Sequence, residues 1–394
     1  MGQIRARHGR DFGERACSRV ASTLGDVKGL ILSGGSGRRL RPLTHTSAKQ
    51  LVPIANKPIL HYVVEDLVSV GVVDIAIVVG DTGDEVRASV GDGSRLGATV
   101  TYVYQEAPLG LAHAVLVAGE FLNDDPFVMY LGDNMFEDSL DRVVDGFVDS
   151  GDAARLLLAQ VEDPSAFGVA ELDDSGAIVS LVEKPADPPS DLALVGVYLF
   201  GASIHEAVRS IQPSARGELE ITDAIQWLLE DGAAIDYRVL DGWWIDTGKK
   251  DPLLACNRLV LARMAGDGVV IDEGAEVVDS TLVGPVVVAA GARIMDSTVG
   301  PSVAVGAGCR IEGSTVVDSV LMEGSAVLGH RRVVASVLGR EAQVQGVQVS
   351  DGPVDGAGAD LSVLLGDHSV VDVASGGPGP DDISSVGSGG GTGG

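Results

Sequence analysis

Val27-Lys-Gly-Leu-Ile-Leu-Ser-Gly-Gly-Ser-Gly-Arg-Arg-Leu-Arg-Pro42, followed closely by Ser47-Ala-Lys-Gln-Leu-Val-Pro53, is the stretch on which the reading of this chain turns. The apolar run from Val27 to Leu32 predicts a buried parallel strand. Gly34, Gly35 and Gly37 then let the backbone turn sharply and aim successive amides at phosphate oxygens. Arg38, Arg39, Arg41 and Lys49 add positive charge around that turn. The Gly-Lys-Ser/Thr ending of a P-loop is missing, as is the third glycine of a dinucleotide fingerprint at the helix entry. What remains is a glycine-rich anion cradle with a lysine downstream, suited to a nucleoside triphosphate.

Outward from this stretch, apolar strands alternate with amphipathic helices as far as about Gly266. Asp74 to Gly80, Thr99 to Tyr104, Phe127 to Leu131 and Leu156 to Val161 read as strands. Pro58 to Val70 and Leu111 to Phe121 read as helices. The alternation predicts an α/β sheet of mostly parallel strands. Ligands of such sheets bind beyond the carboxyl ends of the strands. The glycine loop and Leu131-Gly-Asp-Asn134 both fall at such ends, which places them on one rim.

Beyond Gly266 a different period takes over. Gly274, Gly291 and Gly308 recur 17 residues apart, and Ser280-Thr281, Ser297-Thr298 and Ser314-Thr315 keep the same step. Aliphatic Ile271, Val277, Val288, Ile294, Val305 and Ile311 fall mostly at six-residue offsets within these units. The pattern predicts a β-solenoid that buries columns of aliphatics, one of its three sides shortened, and it fades after Val344. Residues 350–394, rich in Gly, Ser and Asp, are expected to form a disordered tail.

Composition narrows the partners. The 394 residues suffice for two domains, and 45% hydrophobic content fills ordinary cores. With 28 basic and 56 acidic residues, the net charge of −28 argues against nucleic acid or an anionic membrane. No apolar run approaches a membrane span and no signal peptide is visible, so a cytoplasmic location is expected. Cys17, Cys256 and Cys309 are an odd number at unrelated spacings, which suggests neither a disulfide framework nor a zinc site.

The segments GGSGRRLRPLT and SAKQLVPIANKPIL resemble the signature of the sugar nucleotidyltransferases, in particular the glucose-1-phosphate thymidylyltransferases. The resemblance runs from about Val27 to Val344. It implies a Rossmann-like nucleotidyltransferase domain with a mixed, mostly parallel sheet over 27–265, then a short left-handed parallel β-helix of hexapeptide-like repeats over 266–349. Relatives begin almost directly with the first strand, so residues 1–26 are expected to be a disordered or spurious extension, with Val27 standing at the true start. The long form with a β-helix resembles enzymes that supply deoxysugar pathways.

The chemistry implied is the joining of dTTP, or UTP, to glucose 1-phosphate. A phosphate oxygen of the sugar attacks the α-phosphorus while pyrophosphate leaves in line. Both reactants are anions, so positioning and charge spreading dominate. By resemblance Arg39 and Lys49 are catalytic, Lys49 at the α-phosphate and Arg39 at departing pyrophosphate. Leu32, Gly34, Gly35, Gly37, Arg38, Gln105 and Gly110 are implied as nucleotide contacts. A glutamine amide offers both a donor and an acceptor, which suits the imide edge of thymine or uracil. Arg38 stands where most relatives carry a small hydroxyl residue. Asp133 and Asp246 match the family's magnesium-binding aspartates, and Mg2+ needs only one or two carboxylates besides phosphates. For the sugar phosphate the resemblance implies Phe167, Gly168, Glu183, Lys184, Leu194 and Arg216. In Glu183-Lys-Pro185 the carboxylate can accept from two hydroxyls while the ammonium pairs with phosphate. His113 needs no base role, because phosphate oxygens are already ionised at neutral pH.

Three alternatives stand beside this reading. One is a uridylyltransferase. Another is acyl transfer on the solenoid, where only His330 is available as a base. The last is a non-catalytic regulatory homologue, against which the retention of Arg39, Lys49, Asp133 and Asp246 argues. The open coil end and apolar faces of the solenoid favour a homo-oligomer.

Overall fold

The protein is described here by a computed structural model covering residues 27–35, 37–137, 139–329, 331–347 and 360–374. The expected N-terminal extension, Cys17, His330 and most of the expected tail lie outside the described residues. The chain divides into two units. Among the described residues, one comprises the chain up to Arg39, Ser47–Pro53 and Lys57–Leu253, and the other Leu40–Thr46, Ile54–Asn56 and the chain from Leu254 on.

A nine-stranded sheet organises the first unit. Lys28–Leu32 lies parallel to Asp74–Val79 on one side and to Phe127–Leu131 on the other, and Thr99–Tyr104 extends the parallel half beyond Asp74–Val79. Antiparallel strands continue it in the other direction. Leu192–Phe200 pairs with Phe127–Leu131, with Ala154–Gln160 and with Gly168–Leu172, which in turn pairs with Ile178–Glu183.

Strand periodicity decides the packing, since alternate side chains face opposite sides of a sheet. Ile31, Ile75, Ile77, Val128 and Tyr130 face Leu60, Val63, Val64 and Leu67 of helix Ile59–Ser69. Leu30, Leu32, Ala76, Val78, Phe127 and Met129 face the other way, against Ala112 and Val115 of helix Leu111–Val117 and Ile221, Ala224, Ile225 and Leu228 of helix Ile221–Glu230. The near-continuous apolar character of Lys28–Leu32 follows from this burial on both faces.

The second unit is a stack of short parallel strands in three sheets. Val269–Ile271, Val286–Val288 and Val303–Val305 begin one side; Glu276–Val278, Arg293–Met295 and Arg310–Glu312 the next; Thr281–Leu282, Thr298–Val299 and Thr315–Val317 the third. Val288, Ile294, Val305 and Ile311 fill the interior. Serines bind the coils to one another. Ser297 donates its amide to Ser280 Oγ at 3.0 Å, and Ser314 donates its amide to Ser297 Oγ at 3.0 Å. Each of these three hydroxyls in turn donates to the carbonyl two residues earlier.

Two expectations change here. The shortening is not confined to one side: strands start at Val269, Glu276, Thr281 and Val286, so two of the three steps are short and one is long. The stretch 350–394 is not all tail either. Leu364–Leu365 pairs with Val337–Leu338, and Val370–Ala374 with Gln343–Val347, so two sides of a further coil form beyond residue 349. Leu361, Val363, Leu365, Val371 and Val373 supply the aliphatics that the surrounding polar sequence conceals.

Cys256 and Cys309 are buried free thiols. Burial pushes both up, Cys256 to about 12, so they remain protonated and inert. No helix among the described residues is long and apolar enough to cross a membrane.

Candidate active site

The carboxyl ends of the parallel strands build one rim. Ser33 donates its amide to the Val78 carbonyl and Gly132 to the Leu32 carbonyl, which locks the glycine loop between the two neighbouring strand ends. Leu32 itself is a core side chain whose carbonyl is spent on this contact. The Gly34 carbonyl accepts from the Gln50 amide at 3.3 Å. Gly35 adopts φ 109°, a conformation that favours glycine, and a Cβ there would lie 3.8 Å from Lys49 Cε. Gly37 also has a positive φ, and Arg38 and Arg39 follow it, exposed, in a short 3-10 turn.

Lys49 lies beneath that loop and closes an ion pair on Asp133 Oδ2. Burial alone would pull its ammonium down. The Asp133 partner and the nearby Asp246 charge outweigh burial and hold it above the ordinary lysine value. Asp133 is buried at the end of Phe127–Leu131, its carbonyl accepting both the hydroxyl and the amide of Thr247. Asp246 arrives from another direction. Trp244–Asp246 pairs antiparallel with Asn134–Phe136 and sets Asp246 opposite Asn134, directly beside Asp133. Burial and the Asp133 charge push the Asp246 carboxyl up, against the opposing pull of the Gly248 amide, Lys49 and Arg39. A side chain at Gly248 would collide with Asp246 Oδ1 at 2.9 Å.

Two carboxylates held together at an energetic cost to one of them suit a hard divalent cation, which would relieve their repulsion. Among the described residues no group of three or more His, Cys, Asp or Glu is assembled to hold a metal. The pair therefore fits an ion that completes its shell with water and phosphate, as magnesium does.

A second cradle forms on the antiparallel side. Glu183 sits in register with Gly168. Its Oε2 accepts from Thr222 Oγ1 at 2.6 Å, and its Oε1 accepts from Lys184 Nζ at 2.6 Å and from an Arg216 nitrogen at 3.2 Å. Lys184 has φ 43°, and its amide donates to the Phe167 carbonyl. Leu194 borders Gly168, where a Cβ would lie 3.1 Å from its Cδ1. Phe167 then meets Trp244 edge-on at 4.8 Å between ring centroids, and Trp244 donates its indole N–H to Asn134 Oδ1 at 2.7 Å. This second cradle is thus continuous with the aspartate pair.

Gln105 and Gly110 close the third side. The Gln105 Nε2 lies 3.3 Å from the Gly110 carbonyl, and a Cβ at Gly34 would lie 3.5 Å from Gln105 Oε1. Gln105 and the glycine loop are therefore close neighbours. The motifs also contained residues that sequence reasoning left without a role. Thr222 anchors Glu183, Glu220 accepts from Arg216 at 2.8 Å, Gln50 braces Gly34, and the Asn134 side chain, next to Asp133 in the chain, accepts from Trp244. Glu220 and Thr222 follow Arg216 closely in the chain, so proximity to a residue already singled out was the available signal.

The sequence model of the family described as nucleotidyl transferase matches residues 28–263. A glucose-1-phosphate thymidylyltransferase from Streptomyces antibioticus is 50% identical over 364 residues, spanning 89% of this chain and 100% of its own length. A crystal structure of UDP-glucose pyrophosphorylase complexed with UDP-glucose superposes with a TM-score of 0.55 at 25% identity, covering 60% of this chain and 99% of that one. A crystal structure of a Bacillus anthracis protein in complex with a sucrose gives a TM-score of 0.56 at 36% identity, covering 59% of this chain and 94% of that one.

Proposed function

The chain belongs to the nucleotidyl transferase family, and on that footing we propose that it is a glucose-1-phosphate thymidylyltransferase, converting dTTP and α-D-glucose 1-phosphate to dTDP-glucose and pyrophosphate. The observation that carries the reading is Lys49 paired to Asp133 beside Asp246, directly under a glycine loop at the strand ends. Such an array, together with Arg38 and Arg39 of the loop and a divalent cation held by the aspartates, would position anions and spread their charge rather than perform proton chemistry.

In this reading the glycine loop cradles the triphosphate, with Arg38 available at its mouth. Lys49 stabilises charge on the α-phosphate and Arg39 on the departing pyrophosphate. Glu183 accepts from sugar hydroxyls, while Lys184 and Arg216 pair with the sugar phosphate. The attacking oxygen is already ionised, so no base is required. Asp133 and Asp246 would hold magnesium, which when bound supplies Lewis-acid neutralisation of phosphate oxygens. Gln105 and Gly110 face the pyrimidine edge. Supply of a deoxysugar pathway, a cytoplasmic location and a homo-oligomer assembled through the solenoid complete the proposal.

Pyrophosphate release with magnesium and glucose 1-phosphate, measured in turn with dTTP, UTP, ATP, GTP and CTP, tests it. A dTTP preference is expected. A UTP preference would make the protein a uridylyltransferase, and silence with every nucleotide and every hexose 1-phosphate would favour a regulatory homologue. Light scattering on the full chain and on a chain ending at 265 tests the assembly role, which fails if both assemble alike.

A further inference from the structure

We propose that His113 fixes the hydrogen-bonding polarity of Gln105, so that the glutamine presents its amide oxygen to the base and withholds its N–H groups. The proposal rests on the reading that Gln105 faces the pyrimidine. Its consequence is a site that accepts a ring N–H and refuses a ring nitrogen acceptor.

The polarity follows from the partners. Gln105 Nε2 lies 3.3 Å from the Gly110 carbonyl and 2.9 Å from His113 Nδ1. A carbonyl can only accept, so the nitrogen of the amide, not its oxygen, must face Gly110. One hydrogen goes to that carbonyl. The other goes to His113 Nδ1, which must then offer a lone pair and leave the imidazole proton on Nε2. Both amide hydrogens are spent. The Gln105 oxygen points the other way, toward Gly34 in the phosphate cradle, where a Cβ would lie 3.5 Å from it.

The two acceptors are held by backbone. Gly110 has φ 107°, and a Cβ on it would fall 2.3 Å from the Leu219 carbonyl. That carbonyl accepts from the Ala112 amide at 3.0 Å, and the Leu219 amide donates to the Leu109 carbonyl at 2.7 Å. The loop is therefore clamped on both sides of Gly110. His113 follows in the first turn of helix Leu111–Val117, half-buried. At the other end, the Gln105 backbone N–H donates to the Val79 carbonyl at 2.9 Å, fixing where its side chain starts.

A lone acceptor complements N3–H of thymine and uracil. Against cytosine, whose N3 is an acceptor, it sets two lone pairs face to face. Thymine and cytosine have nearly the same size and shape, so polarity at this edge is what separates them. The C5 methyl lies off the N3 position, and His113 should have no say in it.

The test compares kcat/KM for dTTP, dCTP and dUTP in the wild-type protein, His113→Leu, His113→Gln and Gln105→Leu. Ratios taken on one preparation cancel any loss of folded protein. His113→Leu should lower the dTTP/dCTP ratio by about tenfold, through KM for dTTP, because one hydrogen bond that orients the amide is lost. The dTTP/dUTP ratio should not move. His113→Gln, whose amide oxygen can accept from Gln105, should restore the ratio. The proposal is overturned if His113→Leu keeps the wild-type ratio while Gln105→Leu loses it, or if His113→Gln fails as badly as His113→Leu. If Gln105→Leu itself keeps the wild-type ratio, or the wild type shows no dTTP preference over dCTP, the underlying base reading falls and takes the proposal with it.

Discussion

Glu183 faces Gly168 across two antiparallel strands, and the missing side chain at 168 is what lets the carboxylate reach Thr222. A Cβ at Gly168 would lie 3.3 Å from Glu183 Oε2 and 2.9 Å from Thr222 Oγ1, both on the wrong side of comfortable contact. Glu183→Gln keeps the shape and removes the charge. It should reduce kcat/KM for glucose 1-phosphate by about 10- to 100-fold, the worth of a hydrogen bond to a charged acceptor, and should change the preference among hexose 1-phosphates. An unchanged preference would remove Glu183 from sugar recognition.

Lys49 is the cation that the fold holds against Asp133 beneath the glycine loop. Replacing it with Met removes a positive charge from where the proposed reaction would develop negative charge, and leaves Asp133 without its ion-pair partner. Turnover should fall by about 10²–10³-fold, the usual effect of deleting one electrostatic stabiliser. Steady-state kinetics on a variant shown by circular dichroism to be folded checks this.

Asp133→Asn should cripple turnover and raise the magnesium concentration needed for half-maximal rate. Removal of magnesium with a chelator should silence the wild type reversibly. Near-normal rates and an unshifted magnesium titration in the variant would remove Asp133 from the metal site.

The solenoid makes its own prediction. Ser297 Oγ receives the Ser314 amide and donates to the Met295 carbonyl. Ser297→Ala would leave a buried amide without its acceptor and should cost about 1–3 kcal/mol. Ile311→Ala, in the fully buried interior, should cost about 2–5 kcal/mol. Denaturant unfolding of each variant reads both.

Much of the fold and of the candidate site was visible in the sequence where the residues lie on short, contiguous stretches. The glycine loop is legible from its own pattern, a strand end followed by a tight turn and charged residues, whereas Lys49, Asp133 and Glu183 stood out only because their short motifs resemble those of the family. Residues that act through a partner far along the chain were not visible in the same way. Thr222 matters only once the fold sets it against Glu183, 39 positions earlier, and Asn134 only once Trp244 reaches it across 110 positions. His113 was set aside because its isolated character is that of a helix-face residue, and its contact with Gln105 appears only when the loop after Tyr104 folds back. The solenoid was legible while its 17-residue period held. The coil after Val347 escaped notice because an intervening polar stretch interrupts the period before Leu364–Leu365 and Val370–Ala374 resume it.

The central claim is that the nucleotide's α-phosphorus is the atom attacked. Incubating the protein with magnesium, glucose 1-phosphate and dTTP carrying radioactive phosphorus either at the α or at the γ position tests it directly. The α label should appear in a sugar nucleotide and the γ label in pyrophosphate. Transfer of the γ label to the sugar, or no sugar nucleotide at all, would contradict the account.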